Sequence, residues 1–357
     1  MTLISNRELN RATLARQHLL ERHAGTLEQE VEHLVGMQAQ NPLDPYYALR
    51  SRLERFDPDA LATKVEGCAM VRGGFMRGTI HLFSTDDFFR VHPVTANVMR
   101  RVFNSTQFAK DCAGLDTDEL LMRGRELLED QPRTRAAIAS ALADVYPDRV
   151  ATSLAHAVTY LSPLVQVPPR GVWGKTGPAA WAYAPSYLGR SYSAGQPMAE
   201  LAIRYLRAFG PAAVKDMRVW SGLTGLRDVF EELRPDLVTF RGESGTELFD
   251  LPDAPRPDPE TPAPPRLLPE YDNVLLGHAD RSRFFPREGP TPPGWVGSVL
   301  VDGVYAGHWK HGEDRIHVHL ARAAMTQTDE VRTEATRMAS MIWPGANAIV
   351  EISPLDS

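Results

Sequence analysis

The chain has 357 residues, 43% of them hydrophobic, and a formal net charge of −6, which predicts a globular protein of two or three modules. No stretch approaches the roughly 18 apolar residues of a membrane span, and the first residues lack an export signal, so we expect a cytoplasmic protein with no membrane partner. The two cysteines have no Cys-x-x-Cys spacing, which argues against thiolate metal sites, and we expect chemistry without metal or cofactor.

The first hundred residues predict four helices and a hairpin. Ser5 is a candidate cap for "NRELNRATLARQHLL", and Thr26 with Gln29 forms a capping box for a helix through "TLEQEVEHLVGMQAQ". Pro42 should end that second helix. Helical patterns follow in "DPYYALRSRLERF" and "DPDALATKVEGCAMV", and the Gly-led, β-rich segment "GGFMRGTIHLFS" predicts a hairpin or wing.

The same order of elements recurs along the chain. Three helical patterns, "DTDELLMRGRELLED", "TRAAIASALADVY" and "DRVATSLAHAVTYL", precede short strands around "PPRGVWGKTGPAAWAYA". A further series begins at "MAELAIRYLRAFG" and ends in the strand-like "LVTFRG" and "TELFD". Helices followed by a β-wing are typical of a winged helix-turn-helix. We therefore predict tandem winged-helix modules at residues 1–100, 101–195 and 196–357, although no residue-level repeat accompanies them.

The C-terminal part predicts a β-rich region. Residues 252–266 are proline-rich and acidic and should form an exposed connection. Strands are expected in "LLPEYDNVLLGHADRSRFF" and "GWVGSVLVDGVYAGHWKHGEDRIHVHLAR", with a hairpin turn at Asp302–Gly303. One helix, "TDEVRTEATRMASMIW", and a last strand, "NAIVEI", end the chain. The predicted fold class is α+β and helix-rich, with three winged-helix modules and a β-rich C-terminal part.

Basic residues are concentrated locally despite the acidic total. The segment from residue 71 to residue 110 contains two acidic residues and six basic ones, which are Arg72, Arg77, Arg90, Arg100, Arg101 and Lys110. Arginine suits phosphates and base edges, although a GC-rich genome would give the same arginine bias. In the second wing, Gly174-Lys175-Thr176 resembles a phosphate loop, but Pro169 stands where its first glycine is required. Arg170 and Lys175 are candidate DNA contacts, and a plain solvated turn is the alternative.

Four histidines follow the predicted hairpin, at positions 308, 311, 317 and 319. On a strand His317 and His319 would share a face, as metal ligands can. The spacing matches no standard zinc motif, so ordinary strand-face histidines are the preferred interpretation.

Two glutamines, Gln38 and Gln40, stand just before Asn41-Pro42. An amide neither gives nor takes a proton near neutral pH and can only orient and polarise. On a helix, residues i and i+2 lie about 200° apart, so the pair could share a target only where the helix unwinds. A helix C-terminus would also favour a nearby cation. The alternative is two ordinary polar residues at a helix end.

One reaction requires no more than such amides. Hydrolysis of an N-glycosidic bond passes through a cationic sugar, and a base already charged by N-alkylation leaves without being protonated. No general acid is then needed, and two amide oxygens could position the attacking water and stabilise the cation.

The motif "QAQ" before "NP", the segment "FMRGTIHLF", and the blocks "LLPEYDNVLLGHADRSR" and "VGSVLVDGVYAGHW" together resemble the bacterial winged-helix DNA glycosylase family of AlkZ and YcaQ. The likeness covers nearly the whole chain. It implies a C-shaped, monomeric enzyme that embraces double-stranded DNA containing alkylated purines and removes N7-alkylguanine, including bulky and crosslinked adducts of natural products. YcaQ-like members carry Gln-x-Asp, so Gln40 indicates the AlkZ-like branch.

The resemblance also implies roles for particular residues. Gln38 and Gln40 would form the catalytic pair that orients water. A hairpin within residues 268–311 would probe the lesion, with Asp272, His278, Asp280 and His308 as candidates. The DNA-binding candidates are Arg77, Arg170, Lys175, Arg281, Arg283 and Lys310. Two alternatives stay open: a non-enzymatic winged-helix transcription regulator, and a scaffold that sequesters an adduct without chemistry.

Overall fold

The computed structural model describes residues 1–192, 197–294 and 296–355, which form helices and three β-sheets. The α-helices in these residues are α1 (Asn6–Arg16), α2 (Leu27–His33), α3 (Asp44–Arg52), α4 (Pro58–Glu66), α5 (Thr85–Asn104), α6 (Gln107–Asp111), α7 (Thr117–Asp130), α8 (Arg135–Val145), α9 (Ala151–Leu161), α10 (Ala184–Tyr187), α11 (Met198–Phe209), α12 (Val214–Ser221), α13 (Leu226–Leu233), α14 (Asn273–Leu276) and α15 (Thr328–Ile342).

The strands are β1 (Thr2–Ile4), β2 (Met37–Gln38), β3 (Met70–Gly74), β4 (Ile80–Ser84), β5 (Arg133–Thr134), β6 (Leu164–Val167), β7 (Ala180–Tyr183), β8 (Val238–Gly242), β9 (Glu247–Asp250), β10 (Arg266–Leu268), β11 (Gly297–Val301), β12 (Val304–His311), β13 (Arg315–Leu320) and β14 (Ile349–Pro354). The predicted mixed, helix-rich class is confirmed. None of the helices in the described residues is both long and apolar enough to cross a membrane.

The predicted starts of the first two helices are confirmed. Ser5 caps α1 and exchanges hydrogen bonds with Glu8, while Thr26 and Gln29 do the same at the start of α2. Each pair satisfies backbone N–H groups that a helix N-terminus otherwise leaves without partners.

The predicted end of the second helix is wrong. Helix α2 ends at His33, well before Pro42, because Val35 and Gly36 adopt left-handed backbone angles with φ of 55° and 82°. A Cβ on Gly36 would lie 2.5 Å from the ring of Phe83, so only glycine fits against this neighbour. The chain then enters β2, and the two glutamines therefore lie along an extended segment that follows α2.

The six-stranded sheet has the order β2-β4-β3-β6-β7-β5. Strands β3 and β4 form the predicted first hairpin, and β6 and β7 are the strands predicted around the second wing. Antiparallel pairing of Arg72 with Gln166 joins β3 to β6. The two predicted wings thus share one continuous sheet, and β2 lies at its edge.

Helix α5 connects this sheet to the second helical region and has no counterpart in the sequence analysis. It contains Pro93 in its interior, a residue that removes a backbone donor and usually ends a helix. Ser84 caps the helix by accepting a hydrogen bond from the backbone of Asp87. The helix buries one apolar face that includes Phe88 and Val98. We attribute its continuation past the proline to this packing.

The N-terminus lies beside a distant part of the chain. Strand β1 pairs in parallel with β8, and β9 completes this three-stranded sheet. From α1, the buried guanidinium of Arg16 makes two bonds of 2.7 and 2.9 Å to the carboxylate of Asp250. Residues 2–16 are therefore attached to the segment predicted as the third module. The predicted boundary between residues 195 and 196 lies outside the described residues.

The C-terminal sheet has the order β10-β11-β12-β13-β14. The predicted turn at Asp302–Gly303 is present, with φ of 48° and 78° at the two residues. The strands predicted across "LLPEYDNVLLGHADRSRFF" are only partly present. Strand β10 is followed by the short helix α14, which begins where Asp272 accepts a hydrogen bond from the backbone of Val274.

Two large apolar clusters meet at β2. Met37 and Ala39 belong to a cluster formed by α2, α3, α4, α15 and the C-terminal sheet. Val35 belongs to a second cluster, formed with α5, α11, α12 and α13. The segment that carries the glutamines is therefore fixed by buried neighbours on both of its flanks.

Candidate active site

Strand geometry explains the spacing of the two glutamines. Side chains alternate between the faces of an extended chain, so the buried Met37 and Ala39 point into the core and Gln38 and Gln40 share the other side. The pairing continues beyond β2, because the N–H of Ala39 donates to the carbonyl of Ile80 over 2.8 Å. The apolar residue between the two glutamines thus places both amides on the same side of the segment.

Arg77 fixes the orientation of Gln38. Its Nη2 donates to Oε1 of Gln38 over 2.6 Å, and its Nη1 donates to the carbonyl of Trp220 on α12. A guanidinium has no acceptor, so the atom of Gln38 that faces it must be the amide oxygen. The other terminal atom of the Gln38 side chain is therefore the NH₂ group, which takes no part in this bond.

His81 lies opposite Gln38 in the β2–β4 pairing and is uncharged. Burial, together with the neighbouring charge of Arg77, lowers the pKa of His81 to about 3. Its Nδ1 lies 3.1 Å from the carbonyl of Thr79 and its Nε2 lies 3.3 Å from Nη2 of Arg77. Because the guanidinium only donates, Nε2 is the acceptor and Nδ1 carries the proton.

Gln40 is more exposed than Gln38. Its Oε1 accepts a hydrogen bond of 3.3 Å from the backbone of Ile80, which leaves one lone pair of this oxygen available. The backbone on its N-terminal side is held by Arg72, whose Nη2 donates to the carbonyl of Ala39 over 2.8 Å. Gln40 lines a cavity of about 300 Å³ whose wall includes residues of β3 and β6 and of the helices α5, α8 and α9.

Asn273 completes the open edge of β2. Its Nδ2 donates to the carbonyl of Gly36 over 2.7 Å, and its Oδ1 accepts from the backbone N–H of Gln38 over 3.2 Å. The amide therefore takes the place of a neighbouring strand. This residue was not among the candidates taken from the sequence. The sequence feature that could have pointed to Asn273 is its position in the block "LLPEYDNVLLGHADRSR", one residue after the candidate Asp272.

Three sequence candidates from this block are buried and bonded inside the protein. Asp272 makes a paired contact of 2.6 and 2.8 Å with the guanidinium of Arg52. His278 bonds the carbonyl of Phe209, and Nη1 of Arg283 donates to Thr13 and to the carbonyl of Pro211. The three side chains are at most 4% exposed. The structure does not place them at a surface that DNA could reach, and we assign them a structural role.

The other DNA-binding candidates are accessible to different degrees. Arg281 is exposed and lies near Arg77, whose pKa is lowered to about 10 by burial and, secondly, by the charge of Arg281. Lys310 is exposed at the end of β12. Arg170 lines the cavity beside Gln40, while Lys175 is paired with Glu66. Arg77 itself is turned toward Gln38 and is a site residue.

The remaining hairpin candidates, Asp280 and His308, contact different neighbours. Asp280 is exposed and accepts from the backbone of Ser282, and the ring of His308 stacks on His319 with centroids 4.8 Å apart. The turn between β11 and β12 packs on α1, where Asn10 donates to the carbonyl of Gly303 over 2.7 Å. Within the predicted range 268–311, this turn therefore does not project from the protein.

The two strand-face histidines considered as metal ligands have other partners in the structure, in line with the preferred interpretation. His317 lies 3.0 Å from a carboxylate oxygen of Glu351, and His319 lies 2.9 Å from the hydroxyl of Ser353. In residues 1–192, 197–294 and 296–355, no three His, Cys, Asp or Glu side chains are grouped closely enough to hold a metal ion.

Comparison with known proteins agrees with the family resemblance. A family described as "DNA glycosylase AlkZ-like" matches residues 31–341, a range that includes β2, Arg77 and Asn273. The Streptomyces sahachiroi DNA glycosylase AlkZ has a similar structure, with a TM-score of 0.76 and 20% sequence identity. The match covers 99% of this chain and 100% of that one, so the two share a fold over their full lengths. No curated protein matches the sequence.

Proposed function

The chain belongs to the AlkZ-like family of DNA glycosylases, and we propose that it hydrolyses the N-glycosidic bond of N7-alkylguanine in duplex DNA. The observation that carries this proposal is the arrangement of Gln38 and Gln40. They lie on the same side of an extended segment, one held by Arg77 and the other exposed at a cavity. In the described residues, neither side chain is hydrogen-bonded to a carboxylate.

The proposed reaction needs no group that gives a proton to the base. Alkylation at N7 already places a positive charge on guanine, so the electron pair of the C1′–N9 bond neutralises the leaving base as the bond breaks. An oxygen of water forms the new bond to C1′, and its proton passes to solvent because an amide cannot take it. Catalysis then consists of orienting the water and stabilising charge.

We propose different tasks for the two amides. Arg77 polarises the amide of Gln38, which strengthens its NH₂ group as a donor to one lone pair of the water. Gln40 has a free lone pair on Oε1 that accepts a hydrogen from the same water. The second lone pair of the water is then directed at C1′. This division replaces the expectation that both amide oxygens act together.

We extend the proposal to the larger architecture. The order of helices and paired strands supports three winged-helix modules near residues 1–100, 101–195 and 196–357, arranged as a C-shaped monomer around the duplex. Arg170, Lys175, Arg281 and Lys310 remain the proposed DNA contacts. The exposure of the Gln40 side chain supports acceptance of bulky or crosslinked natural-product adducts, and we propose a role in antibiotic self-resistance on that basis.

The test is single-turnover release of N7-methylguanine from an alkylated duplex in the presence of EDTA. We expect release by the wild type and a loss of at least about tenfold, roughly 1.4 kcal/mol, in Gln38→Ala and Gln40→Ala. Gln131→Ala, at an exposed position after α7, is the matched control and should keep the wild-type rate. If the wild type releases no base from this duplex or from a crosslinked one, the glycosylase proposal fails. Sequence-preferring binding would then favour a regulator.

A further inference from the structure

The cavity beside Gln40 is unusually rich in positive charge. Its lining includes three guanidinium groups, from Arg72 on β3, Arg135 at the start of α8 and Arg170 after β6, and it includes no acidic side chain. The aromatic rings of Tyr160 and Trp181 form part of its wall. The described chain provides no carboxylate within ion-pair distance of any of these three arginines.

Arg72 is the buried member of the set, with only 2% of its surface exposed. Nη2 is used by the carbonyl of Ala39, and Nη1 has only a long bond of 3.4 Å to the carbonyl of Arg170. Its Nε has no hydrogen-bond partner. Burial, and secondly the charge of Arg170, lowers the pKa of Arg72 to about 10. The protein therefore maintains a buried cation here that lacks both a counter-charge and one hydrogen bond.

The other two guanidinium groups are also held by neutral partners. Arg135 donates through Nε to the hydroxyl of Thr159 over 3.2 Å, and its guanidinium carbon lies 6.0 Å from the ring of Trp181. Arg170 has one bond of 3.4 Å, to the carbonyl of Gly177. These contacts fix the position of the positive charges without neutralising them. Two buried arginines elsewhere, Arg16 and Arg52, each face a carboxylate. Among the described residues, Arg266 and Arg283 are also buried without a paired carboxylate, but neither of them lines a cavity beside the glutamines.

This charge decides what the cavity can hold. An N7-alkylated guanine is a cation, and three guanidinium groups would repel it. A phosphate diester is an anion whose oxygens match the donor geometry of arginine. We propose that the cavity binds one backbone phosphate of the DNA strand next to the nucleotide whose glycosidic bond is hydrolysed. This inference rests on the proposed glycosylase function.

The position of Arg72 links this phosphate to the amides. The same side chain lines the cavity and holds the carbonyl of Ala39, the residue between the two glutamines. A phosphate bound at Arg72 therefore fixes the sugar-phosphate chain relative to the segment that orients the water. Its negative charge also offsets the arginines, which would otherwise oppose the developing sugar cation.

The experiment combines two variants with chemically altered DNA. The probe is a duplex with one tetrahydrofuran abasic-site analogue, and a set of such duplexes carries a single uncharged methylphosphonate at each position near the analogue. The tested protein is the double variant Arg135→Gln with Arg170→Gln. The matched control is Arg123→Gln on α7, whose side chain is exposed and lies near Glu119 and Glu126. Affinity is measured at several salt concentrations, and N7-methylguanine release is measured with the same preparations.

We expect one methylphosphonate position beside the analogue to weaken wild-type binding by about tenfold. The same substitution should change the affinity of the double variant by less than about twofold, because the contact is already lost. The slope of log affinity against log salt should be smaller by about 1 for the double variant and unchanged for Arg123→Gln. The wild-type scan requires no variant, so a misfolded double variant does not remove the test.

Two results would overturn the inference. One is a wild-type protein that releases base normally but tolerates a methylphosphonate at every position within two nucleotides of the analogue. The other is competition by inorganic phosphate at constant ionic strength without any positional effect, which would assign the cavity to a free phosphate. If the wild type neither binds the probe nor releases base, the proposed function fails and this inference fails with it.

Discussion

Replacing Arg77 by methionine tests whether the protein uses this guanidinium to set the amide of Gln38. Arg77 has a left-handed backbone with φ of 57°, and methionine has the same backbone cost there, so the comparison concerns the side chain. The change removes the donor 2.6 Å from Oε1 of Gln38 and the donor to Trp220. The amide of Gln38 then loses the contact that orients it.

The expected losses of stability and of reaction rate follow from these contacts. Hydrogen bonds to a charged group contribute about 1.5–3 kcal/mol each. Removing a cation whose pKa is lowered by burial returns part of that energy, so we expect stability to fall by only about 1–3 kcal/mol. For the reaction, a Gln38 amide free to rotate should lower the single-turnover rate by about 10-fold to 100-fold. Arg77→Lys keeps the charge and one donor nitrogen, and it should recover part of the rate.

The assay is a double-mutant cycle on release of N7-methylguanine. If Arg77 acts through Gln38, Arg77→Met should cost little further rate in a Gln38→Ala background. Thermal unfolding of each variant shows which of them are folded at the assay temperature. Equal rate losses from Arg77→Met with and without Gln38 would refute the reasoning, because the arginine would then act independently of the amide.

Three further predictions concern neighbouring residues. Asn273→Ala removes both hydrogen bonds to the edge of β2, and thermal unfolding should show a loss of about 1–3 kcal/mol, with slower base release; an unchanged melting temperature and rate would contradict the proposed role. The buried carboxyl of Asp44 has its pKa raised from 3.8 to about 8 by burial and by Glu270, so at pH 7 it is protonated in the folded state and ionised in the unfolded state. Between pH 3.8 and 8, each pH unit therefore lowers the free energy of unfolding of the wild type by about 1.4 kcal/mol. In urea unfolding, Asp44→Asn should be about 2–4 kcal/mol more stable than the wild type at pH 7, and this difference should shrink toward pH 4. Burial lowers the pKa of His81 to about 3 and that of His92 to about 4, and it also lowers that of His278. Below pH 6.5 the unfolded state therefore takes up protons that the folded state does not, and stability should fall with acidification by about 1.4 kcal/mol per pH unit for each such histidine. Urea unfolding of Asp44→Asn between pH 7 and 5 measures this fall, summed over the buried histidines, without the opposite effect of the Asp44 carboxyl.

Local signals in the sequence were sufficient for most elements. The capping residues Ser5 and Thr26 predicted two helix starts, and Asp302–Gly303 predicted the turn between β11 and β12. In these cases one or two residues carry the information, through a side chain that bonds its own backbone or through a glycine that accepts a left-handed conformation.

The environment of the glutamines depends on residues far along the chain. A helical pattern continues through "LVGMQAQ", yet Gly36 and the alternation of apolar and polar residues after it are signals of a helix stop and a strand. Strand β2 forms because this segment pairs with β4 and is hydrogen-bonded by Asn273. Asn273 lies more than 230 residues further along the chain. Periodicity in a single segment cannot show such partners, and for the same reason it could not separate the buried Asp272 from exposed polar residues.

The pairing of β1 with β8 can form only late in the synthesis of the chain. Residues 2–4 pair with residues 240–242, so the first strand leaves the ribosome long before its partner exists. At about 5–20 residues per second, this delay is about 10–50 s. Helix α1 is delayed in the same way, because Arg16 can bond its carboxylate partner only after Asp250 has been synthesised. Strand β1 and helix α1 are therefore made early but reach their final contacts late, and a chain truncated before β8 would leave them without those contacts.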